Sequence, residues 1–251
     1  MHRHDGHLTV PELTIASYNI HWGRGERRAG YPPFDVVDAA RRLDADVLVL
    51  QESWAPDDGA ADHQRVADAL GMTVACEVSM ARTVVEPEPR VLGGATMAGG
   101  DGDWHLVALS RLPVSHVGVE PLPHLWFDHA DRFVLRFAVD VDGSSLEVRG
   151  AHLPHLEYGA HLSTRGLRRA LPPTDGPAAF IGDMNMWGWT IDRMVPSGWR
   201  RVVRGKTWPA HRPHSQIDHL LVTPSVHAVW GEVGPDLGSD HLPIRARLRW
   251  A

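Results

Sequence analysis

The sequence predicts a mixed α/β (α+β) fold of many short strands with a few interspersed helices, and three observations carry that prediction. Alternating or continuous apolar segments of strand length recur along the whole chain. Helix-like stripes with apolar residues every three or four positions are few and short. Polar residues of catalytic type stand repeatedly at the ends of the strand-like segments, where scaffolds of this kind place their sites.

Taken in order, residues 12–20 alternate Leu13, Ile15 and Ser17 against Thr14, Ala16 and Tyr18, which predicts a strand packed on both faces and ending at Asn19. Phe34, Val37, Ala40 and Leu43 then form a helical stripe, and residues 46–51 are a short apolar run that ends at Glu52. Residues 61–70 read as a helix, 72–78 and 104–110 as strands, and the Pro- and Gly-rich 86–103 between them as a loop. Residues 114–119 predict an edge strand. Residues 132–140 and 144–152 flank Val141-Asp142-Gly143, a hairpin signal that leaves His152 at a strand end. A helix is expected over 157–171, followed by a strand at 178–181 with Gly182-Asp183 at its tip. Residues 187–195 fit no single type, and strands close the chain at 216–222, 226–233 and 242–250. In the last, Ile244, Ala246, Leu248 and Trp250 alternate with Arg245, Arg247 and Arg249, which predicts a half-buried strand with a solvated arginine face.

With 251 residues, 43% of them apolar and 22% charged, the chain can bury a sizeable core as one domain over 11–251, with residues 1–10 as a disordered tail. No apolar run approaches membrane-spanning length, so membrane insertion is not expected. The N-terminus lacks the apolar core of a secretion signal and the single cysteine, Cys76, cannot form an internal disulfide, which together point to a reducing cytoplasm; the protein is expected to be a monomer. The net charge of −6, with Lys206 the single lysine, argues against a broad basic surface for nucleic acid. Seventeen histidines stand out. Most read as surface or packing residues, and the cluster His2, His4, His7 as a fortuitous feature of the tail.

Singly, each strand-tip residue is a weak signal. Together, Asn19, Glu52, His152, Asp183, Asn185, Asp218 and the pair Asp240-His241 make a coherent chemical set. Carboxylate and amide oxygens suit Mg²⁺ or Mn²⁺, which leave positions for water and phosphate. Asp183 with Asn185 could hold and deprotonate a water. Asp218 beside His241 would fix the ring and favour its protonated form, able to stabilise charge on a pentacoordinate phosphate. These are the parts that metal-assisted phosphoester hydrolysis needs.

The segments SYNIHWG (17–23), LQES (50–53), ALSRLPV (108–114), RGAHLPH (149–155), FIGDMNM (180–186), QIDHLLVT (216–223) and GSDHLPI (238–244), in that order, resemble the endonuclease/exonuclease/phosphatase superfamily with the deoxyribonuclease I-like fold. The resemblance implies a four-layer sandwich, two mixed β-sheets face to face with helices outside, and a divalent-metal phosphoesterase site. Carried over by position, it implies Glu52 as main metal ligand with Asn19 and Asp240 beside it. It further implies Asp183 on the attacking water, Asn185 on the phosphate, His241 with Asp218 stabilising the phosphorane, and His152 as a second catalytic histidine. His21 stands where several members carry an acidic or amide residue.

Substrate is less legible. Arg24, Arg27 and Arg28, the aromatic and histidine loop with His124, Trp126, Phe127 and His129, and Trp187 with Trp189 are the contact candidates, set against a packing role for the tryptophans, with His21 and His155 at most supporting or substrate-contacting residues. Of these, Arg24 and Trp187 are the leading substrate-binding candidates with Asn185. The expected activity is hydrolysis of a small or exposed phosphodiester, with a DNA-directed endonuclease, including the abasic-site type, as one alternative and a non-catalytic metal- or phosphate-binding module as the other.

Overall fold

The structure, a computed structural model, describes residues 10–26, 33–83, 91–92, 95–96, 101–125, 128, 130–154, 165, 167–171 and 175–251. Alternation in the sequence becomes two six-stranded sheets. The first has the order β13-β14-β1-β2-β6-β3, built from Val226–Val233, Ile244–Trp250, Glu12–Asn19, Val47–Pro56, Gly102–Ser110 and Thr73–Thr83. The second has the order β11-β12-β10-β9-β8-β7, built from Arg200–Arg201, Asp218–Val222, Ala178–Asp183, Ser144–His152, Phe133–Val141 and Val114–Pro121. Each is mixed: β1 runs parallel to β2 and β9 parallel to β10, with antiparallel pairs around them. Two short strands, β4 (Val91–Leu92) and β5 (Ala95–Thr96), pair as a separate ribbon inside the segment expected to be loop.

The period-two pattern sorts side chains into layers. Ile15, Val47, Val49, Ile244, Ala246 and Leu248 of the first sheet meet Phe137, Val139, Val148, Ile181 and Leu220 of the second in one buried cluster. On its other face the first sheet presents Ala16, Tyr18, Leu48, Leu50 and Leu109 to helices α1 (Val36–Leu43) and α2 (Asp62–Leu70), which contribute Val36, Ala40, Leu43, Val66 and Ala67. The second sheet presents Phe180 and Leu221 to Leu167, Ala170, Leu171 and Ile191, the last from helix α3 (Gly188–Met194). This is the four-layer sandwich that the resemblance implied. No helix among the described residues is long and apolar enough to cross a membrane.

Local chemistry explains the element ends. The Asp35 carboxylate caps α1 by accepting from the N–H groups of Val37 and Asp38. Asp142 and Gly143 both adopt positive φ, 50° and 81°, as the tight β8–β9 hairpin requires. Residues 187–195, ambiguous in the sequence, resolve as α3, and most of the helix expected over 157–171 lies outside the described residues. The arginine face of β14 is solvated and paired: Arg245 Nε lies 2.7 Å from Glu232 and Arg247 Nε 2.7 Å from Glu12.

One glycine fixes how β10 lies against β9. Gly182 has φ of 151°, and a Cβ placed there would lie 2.0 Å from the carbonyl oxygen of Ala151. Gly182→Ala should therefore lower stability by at least about 2 kcal/mol, read as an earlier urea midpoint with an unchanged slope.

Candidate active site at the strand tips

The C-terminal ends of β1, β2, β9 and β10 lie at one end of the sandwich, because both parallel pairs point the same way across the packed sheets. Asn19, the last residue of β1, is 2% exposed and donates from Nδ2 to Glu52 Oε1 at 3.1 Å and to Asp183 Oδ2 at 3.2 Å. Its Oδ1 accepts the N–H of His21. One amide thus ties the first sheet to the second. Glu52 reaches this point through a bulge in β2, where the pairing with β6 shifts register between Leu50 and Ser53 and Glu52 itself takes φ of 57°. Strain of that kind in a residue without glycine's freedom clusters at functional sites.

On the second sheet, Asp183 pairs with His152 of β9 on one side and Asp218 of β12 on the other. His152 Nε2 stands 3.5 Å and His241 Nε2 3.8 Å from Asp183 Oδ2. Asp183 Oδ1 accepts the N–H of Asn185, which turns through positive φ and donates from Nδ2 to the Leu153 carbonyl. His241 Nδ1 lies 3.0 Å from Asp218 Oδ2 and 3.2 Å from Oδ1. Asp240, next to it, meets His21 Nδ1 at 3.2 Å and accepts from Trp208 Nε1 at 3.4 Å. Ser239 anchors the turn, with Oγ donating to the Asn19 carbonyl at 2.7 Å and its N–H to Tyr18 Oη at 3.1 Å.

Electrostatics divide these groups by their neighbours. Burial and the adjacent Asp218 raise the Asp183 carboxyl to about 7, despite the opposing pull of His241 and the Asn185 N–H. Burial and the charge of Asp240 also raise Glu52, against His21 and Asn19. Asp240 goes the other way: burial would raise it, and the charge of His241 with the hydrogen bond from His21 overrides burial and lowers it. His241 is raised well above its ordinary value, since Asp218, Asp240 and Asp183 outweigh its desolvation. It is the imidazolium at neutral pH.

The donor set fits a hard divalent cation. Glu52 and Asp240 carboxylates with the Asn19 amide oxygen offer oxygen ligands only, in a place where two partly desolvated carboxylates raise each other's electrostatic cost. Asp183, Asp218 and His241 also bring ligating atoms within 4.8 Å of one another. A protonated His241 committed to Asp218 is a poor ligand, so that trio reads as a proton-holding group.

All eight strand-tip residues predicted from the sequence converge. Arg24 instead follows the His21–Gly23 turn, near the Asp62 carboxylate at the start of α2, which burial raises and the charges of Arg65 and Arg24 partly offset. Trp187 is 46% exposed and stacks on Trp189 at 6.1 Å, both lining an open cavity of about 370 Å³ with His214, Ser215 and Gln216. His124 pairs with Asp131 on the surface. Arg27, Arg28, Trp126, Phe127, His129 and His155 lie outside the described residues. The sequence reading missed the partners of Asp240, His21 and Trp208, although His21 stood two residues from Asn19. It also missed His219, fully buried behind the site, whose Nε2 lies 2.7 Å from the Met186 carbonyl and holds the turn after Asp183.

Burial pushes His219 down to about 4, so it folds as the neutral ring. Between pH 6.5 and 4 the unfolded chain takes up that proton and the folded chain does not. Stability should fall with acidification across this window, with up to about 3 kcal/mol attributable to this group. Urea midpoints measured from pH 7.5 to 4 should flatten in His219→Gln, whose amide can still donate to Met186.

The family model described as "Endonuclease/Exonuclease/phosphatase family" matches residues 16–241. No curated protein sequence matches the chain. Among solved structures, an endonuclease/exonuclease/phosphatase from Beutenbergia cavernae superposes with a TM-score of 0.71 at 23% identity, over 96% of this chain and 72% of that one. The Bacteroides thetaiotaomicron mannosyl-6-phosphatase gives 0.61 at 18% identity, over 94% and 99%. D. rerio TDP2 complexed with a single-strand DNA product gives 0.59 at 19%, over 94% and 98%. These likenesses establish the fold.

Proposed function

Because this chain belongs to the endonuclease/exonuclease/phosphatase family, we propose that it hydrolyses a phosphodiester, small or exposed, by in-line attack of water at the strand-tip site. Hydrolysis of phosphoesters, generally with a divalent metal, is the chemistry of the family. The observation that carries the reading is the double hydrogen bond of Asn19 to Glu52 and Asp183, which puts an oxygen-donor cluster and a buried carboxylate side by side.

In this reading Glu52, Asp240 and the Asn19 amide oxygen would hold Mg²⁺ or Mn²⁺, and such an ion would supply Lewis-acid polarisation of a phosphoryl oxygen and offset charge developing there. Asp183, fixed by Asn19 and the Asn185 N–H, orients the attacking water and takes its proton as the new P–O bond forms, while the opposite P–O bond breaks and the leaving oxygen takes a proton from solvent water. Its pKa near 7 matches a base that works at neutral pH. His241, kept protonated by Asp218, lies on the Asp183 side of the site and stabilises negative charge on the phosphorane, and His152 does so from the neighbouring strand β9. Asn185 supports the phosphate, and the exposed Trp187–Trp189 pair forms a ledge on which a planar leaving group can stack. Arg193, whose guanidinium lies 5.7 Å from the Trp189 ring centre, adds positive charge to that ledge.

A panel of a chromogenic phosphodiester, a phosphomonoester, supercoiled plasmid, an abasic duplex, inositol phosphates and sphingomyelin, each with metal or with chelator, tests the reading. Turnover of the phosphodiester should vanish with chelator and return with Mg²⁺ or Mn²⁺. Asp183→Asn and His241→Ala should each lower kcat by about 10²–10⁴, the first with little change in stability and the second with a lower urea midpoint as well, because it leaves Asp218 buried without its partner. Failure on every substrate, or wild-type rates in both variants, overturns the proposal. A preference for plasmid or abasic duplex would instead establish the DNA-directed alternative, and monoester turnover alone would make it a phosphatase.

The ledge makes a separate prediction. Trp187→Ala should raise KM for substrates with an aromatic or nucleoside leaving group by about tenfold, while a methyl ester of the same phosphate keeps its KM.

A further inference from the structure

A second group of side chains with ligating atoms lies away from the strand-tip set. His63 is the second residue of α2, Glu77 stands on β3 and His105 on β6. The register pairs Glu77 with Val107 and Ser79 with His105, so Glu77 and His105 are diagonal neighbours on one face of the sheet. Val107 belongs to the cluster that packs against the helices, which makes that face the one α2 covers. His63 Nε2 stands 2.8 Å from Glu77 Oε2, and the rings of His63 and His105 are 5.3 Å apart at 33°. One ligating atom from each of the three residues lies within 4.8 Å of the other two. His63 is 5% exposed, whereas the Glu77 side chain is 46% exposed and opens the group to solvent.

We infer that His63, Glu77 and His105 form a binding site for a borderline transition-metal dication, zinc first, distinct from the strand-tip centre. Two imidazoles and a carboxylate are a ligand set that zinc accepts with a fourth position left for water. They are a poor set for magnesium, which demands oxygen donors in octahedral array. Tetrahedral zinc with these ligands needs donor atoms about 3.4 Å apart, so the observed spacing closes on a cation by side-chain adjustment alone.

Two details favour a ligand over a plain hydrogen-bond cluster. His63 is held from both sides, Nδ1 3.0 Å from Ser53 Oγ and Nε2 2.8 Å from Glu77 Oε2, so a supporting hydroxyl fixes the ring with Nε2 on the carboxylate, and a cation replacing the shared proton would meet both ligands. Among the described residues, His105 Nδ1 is buried and has no hydrogen-bond partner, an expense that a ring serving only to pack need not carry. Occupied, the site would clamp the start of α2 to β3 and β6.

The test uses untagged full-length protein with His2, His4 and His7 replaced by Gln, in excess Mg²⁺, titrated with Co²⁺ and then Zn²⁺. The expected result is one equivalent of Co²⁺ giving visible d–d absorption, displaced by Zn²⁺, and a melting temperature raised by Zn²⁺. His63→Gln and Glu77→Gln should each weaken binding at least about 100-fold and abolish the thermal shift, while Glu52→Gln keeps the equivalent. Glu77→Gln, at a half-exposed position, guards against loss of fold. Equal titration by wild type and both variants, or loss of the equivalent in Glu52→Gln, overturns the inference. These readouts do not depend on catalysis, so failure here leaves the phosphoesterase reading standing, and the converse holds.

Discussion

The side-chain amide of Asn19 is the contact on which the strand tips depend. It stands on β1 of the first sheet and donates to Glu52 of the same sheet and to Asp183 of the other, at 3.1 and 3.2 Å. A carboxylate at this position would add a third negative charge between two carboxylates, and an aliphatic residue would leave both without a donor. Only an amide supplies hydrogens toward both while keeping an oxygen, here accepting the His21 N–H and available to a cation. The contact in turn depends on the apolar packing of Ile15, Ile181 and Ile244 between the sheets, because a slip of one residue in β1 would turn Asn19 to the other face.

Burial acts on every shifted group at the site, and neighbouring charge either leaves its direction standing or overrides it. Asp183, beside Asp218, is held near 7, whereas Asp240, between His21 and His241, is driven down. The same principle makes His241 an imidazolium, since three carboxylates surround it. The arrangement separates a base from an acid within one hydrogen-bonded group. It also concentrates negative charge at one point, and a divalent cation held there would supply a local attraction for a phosphate ester whatever the overall charge of −6.

What could be read in the sequence is what repeats with a short period. The alternation in β1, the continuous run in β2 and the Asp142-Gly143 turn placed most strands to within a few residues, and the polar tips of those strands are the residues that meet. What could not be read is set by pairings far apart in the chain. Nothing local in Tyr18 announces Ser239, and nothing in Asp240 announces Trp208, because these meet only once β14 has paired with β1. The bulge at Glu52 was equally hidden: a run ending at Gln51 gave no sign that β2 continues to Pro56 with one residue forced into the left-handed region. His219 looked like any of the other histidines until its burial and its contact to Met186 distinguished it.

That bulge connects the two ends of the argument. In a regular strand consecutive residues face opposite layers, and an inserted residue changes which side each successive residue serves. Here Glu52 bonds to Asn19 at the strand tips, while Ser53 bonds to His63 beneath α2. A single irregularity thus presents an oxygen donor to one group and an orienting hydroxyl to the other. The two groups differ in ligand type, oxygen donors at the tips and mainly imidazole under α2, and this difference keeps them from competing for the same cation. Restoring regular pairing at Glu52 would disturb both, whereas replacing Glu52 or His63 alone removes one donor and leaves the backbone that serves the other in place.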